Sequence, residues 1–147
     1  MNDFDFLEGE WTIANRTIAN ATATEFPSET KAQRLFDGKI SLDETIFTTK
    51  GTRGLSLRLF NPQTELWSIY WVDSRTMQLD PPVIGRFVDG VGTFIGDDVL
   101  DGQPIKLRFT WSEITPESAR WQQELSKDDG ETWEVNWVME FERSAKG

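Results

Sequence analysis

The chain has 147 residues, a formal net charge of −10, seven Trp, ten Phe, and neither Cys nor His. Disulfides, thiolate metal sites, Cys nucleophiles, Ser-His-Asp triads and imidazole ligation of zinc or haem are therefore excluded. The acidic balance argues against nucleic acid and anionic lipid as partners, because both need a basic footprint. The opening MNDFDFLEGEW has no basic region followed by an apolar run, and no stretch approaches the ~20 apolar residues that cross a bilayer. With no cysteine, the expectation is a cytoplasmic protein of one domain spanning 1–147.

In chain order, residues 3–8 predict a short helical turn. Period-two alternation then predicts ten strands, at 10–18, 31–38, 41–49, 53–60, 66–73, 82–88, 91–98, 104–112, 118–126 and 133–143. Turn chemistry separates many of them: Asn61-Pro62, Asp89-Gly90, Asp101-Gly102, Thr115-Pro116 and Asp129-Gly130. Segment 20–30 (NATATEFPSET) lacks a clear period and predicts a loop or short lid. The fold class that follows is all-β, an antiparallel up-and-down barrel of about ten strands, since closure removes exposed edges.

Several registers follow from the turns. Two-residue type I′ turns at Asp89-Gly90 and Asp101-Gly102 pair Val88 with Val91 and Leu100 with Gln103. Counting outward sets Phe87 against Gly92, Gly85 against Phe94, Phe94 against Phe109, Gly92 against Trp111 and Gly96 against Leu107. Rings and glycines then share one face, the glycines making room for the rings. A turn at Asn61–Glu65 predicts Leu55, Leu57 and Leu59 opposite Trp71, Ile69 and Trp67, with Ser56, Arg58, Ser68 and Tyr70 on the other face. Which of those two faces points inward stays open. The stretch SKDDGETW (126–133) resembles the Asp-box of sialidase-type propellers. It occurs once in a chain too short for a propeller, so we read it as a three-residue hairpin loop at Asp128–Gly130 with Gly130 at positive φ. That loop pairs Leu125 with Trp133, Gln123 with Val135, Trp121 with Trp137 and Ala119 with Met139.

LEGEW, preceded by Phe4 and Phe6, places Gly-x-Trp at the opening of the first strand and resembles the calycin signature of lipocalins, fatty-acid-binding proteins and nitrobindin-like barrels. The whole chain is similar to an uncharacterised bacterial lipocalin-like family. The resemblance is carried by Phe-x-Phe-Leu-x-Gly-x-Trp (4–11), Leu-Arg-Leu-Phe-x-Pro (57–62), Trp-Ser-Ile-Tyr-Trp-x-Asp-Ser-Arg (67–75), Asp-Pro-Pro-Val-x-Gly-Arg-Phe (80–87) and Thr-Trp-x-x-Asn-Trp-x-Met-Glu-Phe (132–141). It implies a calycin barrel and no established activity. By the same resemblance Trp11 packs at the closed end against a basic side chain, Arg143 or Arg120.

The leading functional expectation is a binding module for a small amphipathic or anionic molecule. Aromatic walls including Trp71 would enclose it, and Arg58, Tyr70, Asp73, Arg75 and Gln123 would orient it. Arg58 and Tyr70 are similar to the interior Arg and Tyr with which fatty-acid-binding barrels hold a carboxylate. Asp73 and Arg75 end a strand before the rigid LDPPV turn, a place that suits a barrel mouth. Two alternatives stand beside it. One is a cofactor-free isomerase, cyclase or hydrolase using Tyr70 and Asp73 as acid and base. The other is a barrel filled by its own rings that forms a homodimer through an aromatic outer face. No cofactor motif is present. Asp97, Asp98 and Asp101 lack the spacing of a calcium loop, so no metal is expected. Glu124 and Glu134 suit solvent-facing strand positions.

Overall fold

The structure is a computed structural model and describes residues 2–144. Ten antiparallel strands close into one barrel: β1 (Gly9–Ala19), β2 (Thr22–Leu35), β3 (Ile40–Phe47), β4 (Thr52–Asn61), β5 (Leu66–Asp73), β6 (Val83–Val88), β7 (Val91–Leu100), β8 (Gln103–Ser112), β9 (Ser118–Ser126) and β10 (Glu134–Arg143). Each strand pairs with its neighbours in sequence, and β1 pairs with β10 to complete the circle. Tyr70 apart, the rings carried by the strands point inward, where a closed surface of alternating strands has its dry face. No helix among the described residues is long and apolar enough to cross a membrane.

The β6–β7–β8 registers match the turn-derived expectation pair for pair, from Val88 with Val91 through Phe94 with Phe109 to Gly96 with Leu107. Asp89 and Gly90 both have positive φ, as do Asp101 and Gly102, which is the type I′ geometry that matches strand twist. Phe94 and Trp111 are buried beside Gly92, and a Cβ on Gly92 would sit 2.8 Å from the Phe87 ring.

Three expectations are corrected. Segment 20–30 is not a loop: Asn20 and Ala21 form a third tight turn with positive φ at both positions, and Thr22 onward is strand paired to β1. Most of this hairpin tip is exposed, so it needed no apolar period. Pro27 is tolerated because β3 joins β2 only from Glu29 onward, leaving that edge of the strand without a neighbour. The strand also stops at Leu35, before a 3-10 turn at Phe36–Gly38.

The β4–β5 register is shifted by one. Leu55, Leu57 and Leu59 pair with Val72, Tyr70 and Ser68, while Ser56, Arg58 and Phe60 pair with Trp71, Ile69 and Trp67. Asn61 sets the shift. Its side-chain oxygen accepts from the Gln63 amide at 2.8 Å, its carbonyl accepts from Glu65 N at 2.7 Å, and Glu65 takes a left-handed φ of 58°. The loop is therefore 62–65, an even count that joins Asn61 to Leu66 and exchanges faces on one strand.

The β9–β10 loop is longer than three residues. Leu125 pairs with Glu134 and Glu124 with Val135; a bulge at Asn136 then sets Gln123 against Trp137, Trp121 against Met139 and Ala119 against Phe141. The partners move by two positions, so the faces survive. Gly130 has φ 92°, and Asp128 accepts from both the amide and the hydroxyl of Thr132. The stretch that resembles an Asp-box is thus a self-bonded turn. Trp133 lies over the Arg108 guanidinium at 4.2 Å instead of pairing with Leu125.

Candidate functional site

The N-terminal segment seals one end of the barrel. A 3-10 turn at Asp5–Leu7 carries Leu7 and the preceding Phe4 into the lumen, both almost fully buried. Phe4 meets Trp67 and Phe87 edge-on at 4.8 and 5.1 Å, and Trp67 Nε1 donates to Asp3 at 2.9 Å. Trp11 Nε1 donates to the Leu7 carbonyl at 2.8 Å. Arg143 lies over the Trp11 ring at 4.1 Å and donates to the carbonyls of Phe6, Glu8 and Pro116. The basic partner of Trp11 is thus Arg143; Arg120 pairs with Glu140 instead.

Above this floor lies a buried ionic node. Arg58 and Asp43 are each 4% exposed and form an ion pair. Arg58 Nη1 also donates to Ser41 Oγ at 3.0 Å, and its guanidinium stands 5.1 Å from the Phe4 ring centre. Thr45 and Thr30 share a 2.6 Å hydrogen bond beside Asp43. One donor of this set, Arg58 Nε, is buried without a partner. The inward parity of β3 places Ser41, Asp43 and Thr45 together, all buried.

The node borders a cavity of about 310 Å³ whose walls include Ile69, Leu107, Phe109, Trp121, Gln123 and Met139. Its ceiling is aromatic. Trp71 on β5 and Trp137 on β10 come from opposite sides of the barrel and meet at 6.5 Å with perpendicular rings. Each is held. Trp71 leans into the space left by Gly54, where a Cβ would lie 1.9 Å from the indole. Trp137 Nε1 donates to Asn15 at 3.0 Å, and Asn15 in turn donates to Ser28 at 2.7 Å. Beyond the two indoles is an outer vestibule of about 540 Å³, lined by Phe26, Phe47, Lys50, Asp73 and Arg75.

The inner cavity reaches the surface beside the vestibule. β5 and β6 pair through only three residues, Trp67 to Ile69; above them the 74–82 connector is tied to β5 by a single bridge, Val72 with Leu79, and by a 2.9 Å hydrogen bond from the Asp80 amide to the Trp71 carbonyl. There Asp80 and Pro81 face Asp98, Val99 and Leu100 of β7 across the cavity rim. Gly96 lets the connector approach, since a Cβ there would meet the Pro82 carbonyl at 2.4 Å. Burial, then the charges of Asp98 and Asp73, push the Asp80 carboxyl above its ordinary range. Among the described residues neither Asp80 nor Asp98 has an ion-pair partner.

Of the residues singled out from sequence, Arg58, Trp71 and Gln123 stand in the inner cavity wall, and Asp73 and Arg75 in the vestibule. Tyr70 does not join them. It pairs with Leu57 on the outer face, three positions and hence opposite in parity from Asp73. Arg75 donates to both Asp73 carboxylate oxygens, and this pairing holds Asp73 below the usual carboxylate range. Tyr70 and Asp73 therefore form no acid–base pair. Glu124 does not face solvent as expected: it is buried on the barrel wall and accepts a two-pronged contact from Arg108 at 3.0 Å, while Asp97 pairs with Lys106. No cluster of three carboxylates suited to a metal occurs among the described residues. Asp43, Asn15, Gly54, Asp80 and Trp137 were not singled out. Asp43 was findable in principle, because an inward Arg demands a buried counter-charge.

A larger concavity of about 1080 Å³ lies on the barrel exterior, lined by Thr12, Arg16, Glu25, Glu29, Glu140 and their neighbours. Its walls are mostly solvent-facing strand residues, and it holds no buried ionic group. Of the large exposed hydrophobic side chains among the described residues only Phe36 is aromatic; the others include Ile84, Val88, Val91 and Ile95 on β6 and β7.

No protein-family model matches the chain, and no curated protein matches it significantly. The closed ten-stranded antiparallel barrel is consistent with a calycin-like fold.

Proposed function

We propose that the protein is a calycin-like binding protein that holds a small amphipathic molecule inside its barrel. One observation carries this reading: a cavity of about 310 Å³ joins aromatic walls to a buried Arg58–Asp43 node. That volume is at the small end of ligand pockets, and the combination of apolar walls with few convergent polar groups is typical of them. A barrel packed solid by its own rings would leave no such space. The ion pair bears on the ligand's charge. Arg58 is already neutralised by Asp43, so a carboxylate entering the site would have to displace a bonded partner. An amphipath without net negative charge needs no such exchange. A bacterial cytoplasmic role is part of this proposal; it rests on the lack of cysteine and on a resemblance in sequence to a bacterial lipocalin-like family.

Native mass spectrometry of the protein purified from its own host tests the reading. A retained molecule of a few hundred daltons, released on denaturation and lost in a Trp71→Ala variant, supports it. A bare protein that also binds nothing in a screen of small aromatic and alicyclic fragments overturns it.

A further inference from the structure

The inner cavity is electrically lopsided. Its floor carries a matched pair, Arg58 with Asp43, while its rim carries Asp80 and Asp98 with no cation to answer them. Asp98 is half-buried at an inward-facing position of β7, and among the described residues its carboxylate accepts a hydrogen bond only from the adjacent Val99 amide. Cations on neighbouring strands and loops are engaged elsewhere: Lys106 pairs with Asp97, Arg75 with Asp73, and Lys50 lies over Phe26 in the vestibule. Asp80 is exposed and Asp98 half-buried, so the two place an uncompensated negative charge at the mouth of an apolar cavity, where it favours a bound positive charge. The walls favour it too, since indole and phenyl faces attract ammonium groups. Trp121 meets Trp137 at 5.4 Å and Phe109 at 5.0 Å, so an aromatic lining continues from the ceiling down one side.

A second observation points to a ligand independently of the acids. Arg58 is 4% exposed, it borders the cavity, and its Nε has no hydrogen-bond partner. Native interiors rarely leave such a donor unmatched, and the omission is understandable where a bound molecule supplies the acceptor. The ring floor of Phe4 and Trp111 beneath the guanidinium offers no lone pair in its place.

We propose that the cavity takes a flat monocationic amphipath, with a protonated amine at the Asp80–Asp98 rim, an aromatic body between Trp121, Trp137 and Phe109, and a hydrogen-bond acceptor at the Arg58 end. This rests on the reading that the cavity binds a small molecule, and it specifies the charge and polarity of that molecule. Entry in this proposal is at the rim between the connector and β7, where Asp80, Pro81, Val99 and Leu100 line the cavity and are exposed, since Trp71 and Trp137 meet between the cavity and the vestibule.

Four probes that share an indole body test the assignment by calorimetry: tryptamine, tryptophol, indole-3-acetate and 5-methoxytryptamine. Tryptamine should bind about tenfold more tightly than tryptophol, the scale of a partly desolvated cation on aromatic faces and carboxylates. Indole-3-acetate should bind most weakly. The tryptamine preference should shrink with added salt and fall to about twofold or less in Asp80→Asn/Asp98→Asn, with circular dichroism reporting whether that variant folds. The methoxy oxygen of 5-methoxytryptamine should tighten binding further. Equal affinity for tryptamine and tryptophol, or tighter binding of indole-3-acetate, overturns the charge assignment and leaves the binding function standing. No tightening by the methoxy group overturns the acceptor assignment at Arg58. Failure of all four probes counts against the binding function itself. The wild-type comparison needs no variant to fold.

Discussion

Arg58 and Asp43 allow a sharp energetic test. Each is 4% exposed, so both charges are almost fully removed from water. Asp43→Leu leaves the guanidinium with only Ser41 and two ring faces for partners. Arg58→Met leaves a buried carboxylate whose remaining contact is a long 3.5 Å hydrogen bond from Thr45. Breaking one side of a buried pair costs about 3–5 kcal/mol, most of it the uncompensated charge. Replacing both partners by apolar groups removes that penalty. In Arg58→Met/Asp43→Leu the remaining loss is chiefly the Ser41 hydroxyl left unbonded, about 1–2 kcal/mol. Urea unfolding of the four proteins should thus show each single variant less stable than the double, with a coupling energy of several kcal/mol. Additive losses would refute the reasoning, since they would mean that the two charges are solvated separately. The same double variant separates stability from function: it should fold, yet lose the polar end of the binding site.

Other consequences can be checked independently. Gly54→Ala places a Cβ 1.9 Å from the Trp71 ring, so the indole must move toward Trp137; an overpacking loss of about 1–3 kcal/mol and an altered tryptophan emission spectrum are expected. Gly92→Val adds bulk 2.8 Å from the Phe87 ring and should lower the unfolding free energy measured in urea by a similar amount, whereas Gly90→Ala meets nothing within 4 Å and answers only to the strain of its positive φ. Hydrogen bonds from Thr132 and Ser126 lower the Asp128 carboxyl to about 2. Because its folded value lies below the unfolded one, its contribution to stability is complete above about pH 4 and is lost as pH falls toward 2. Acid unfolding curves of wild type and Asp128→Asn should differ at neutral pH and converge in that window.

How much could be read in the sequence depended on where register was decided. Across β6, β7 and β8 two Asp-Gly dipeptides fix loop length by backbone conformation alone, so every ring and glycine could be placed by counting. At 61–65 and 127–133 the loop lengths depend on hydrogen bonds accepted by the Asn61 and Asp128 side chains, one of them donated by Ser126, and parity along β4 depends on a single residue. Arg58 could therefore be named but not oriented, and Tyr70 was assigned beside it although it stands outside. The bulge at Asn136 is likewise invisible to alternation, yet it restores the face that a one-residue shift would have lost. Asp43 escaped notice because Asp-Glu-Thr in a strand reads as a solvated face. Only the partner strand shows that its first member is buried.

The seam between β1 and β10 sets this barrel's order of assembly. Nine of its ten pairings join strands adjacent in sequence, and each can zip up as a local hairpin or short-range contact. The tenth brings Thr12 to Glu142, 130 positions away. Closing a chain of that length from the extended state costs roughly 4 kcal/mol by its logarithmic dependence on length, but a curled nine-hairpin sheet already holds its ends close. The seam is thus the pairing that waits for the others, and the Arg143 side chain that grips Phe6, Glu8 and Pro116 is the clasp that fastens it. Folding kinetics should divide accordingly: substitutions in the hairpin turns slow the forward reaction, while loosening Arg143 mainly speeds unfolding.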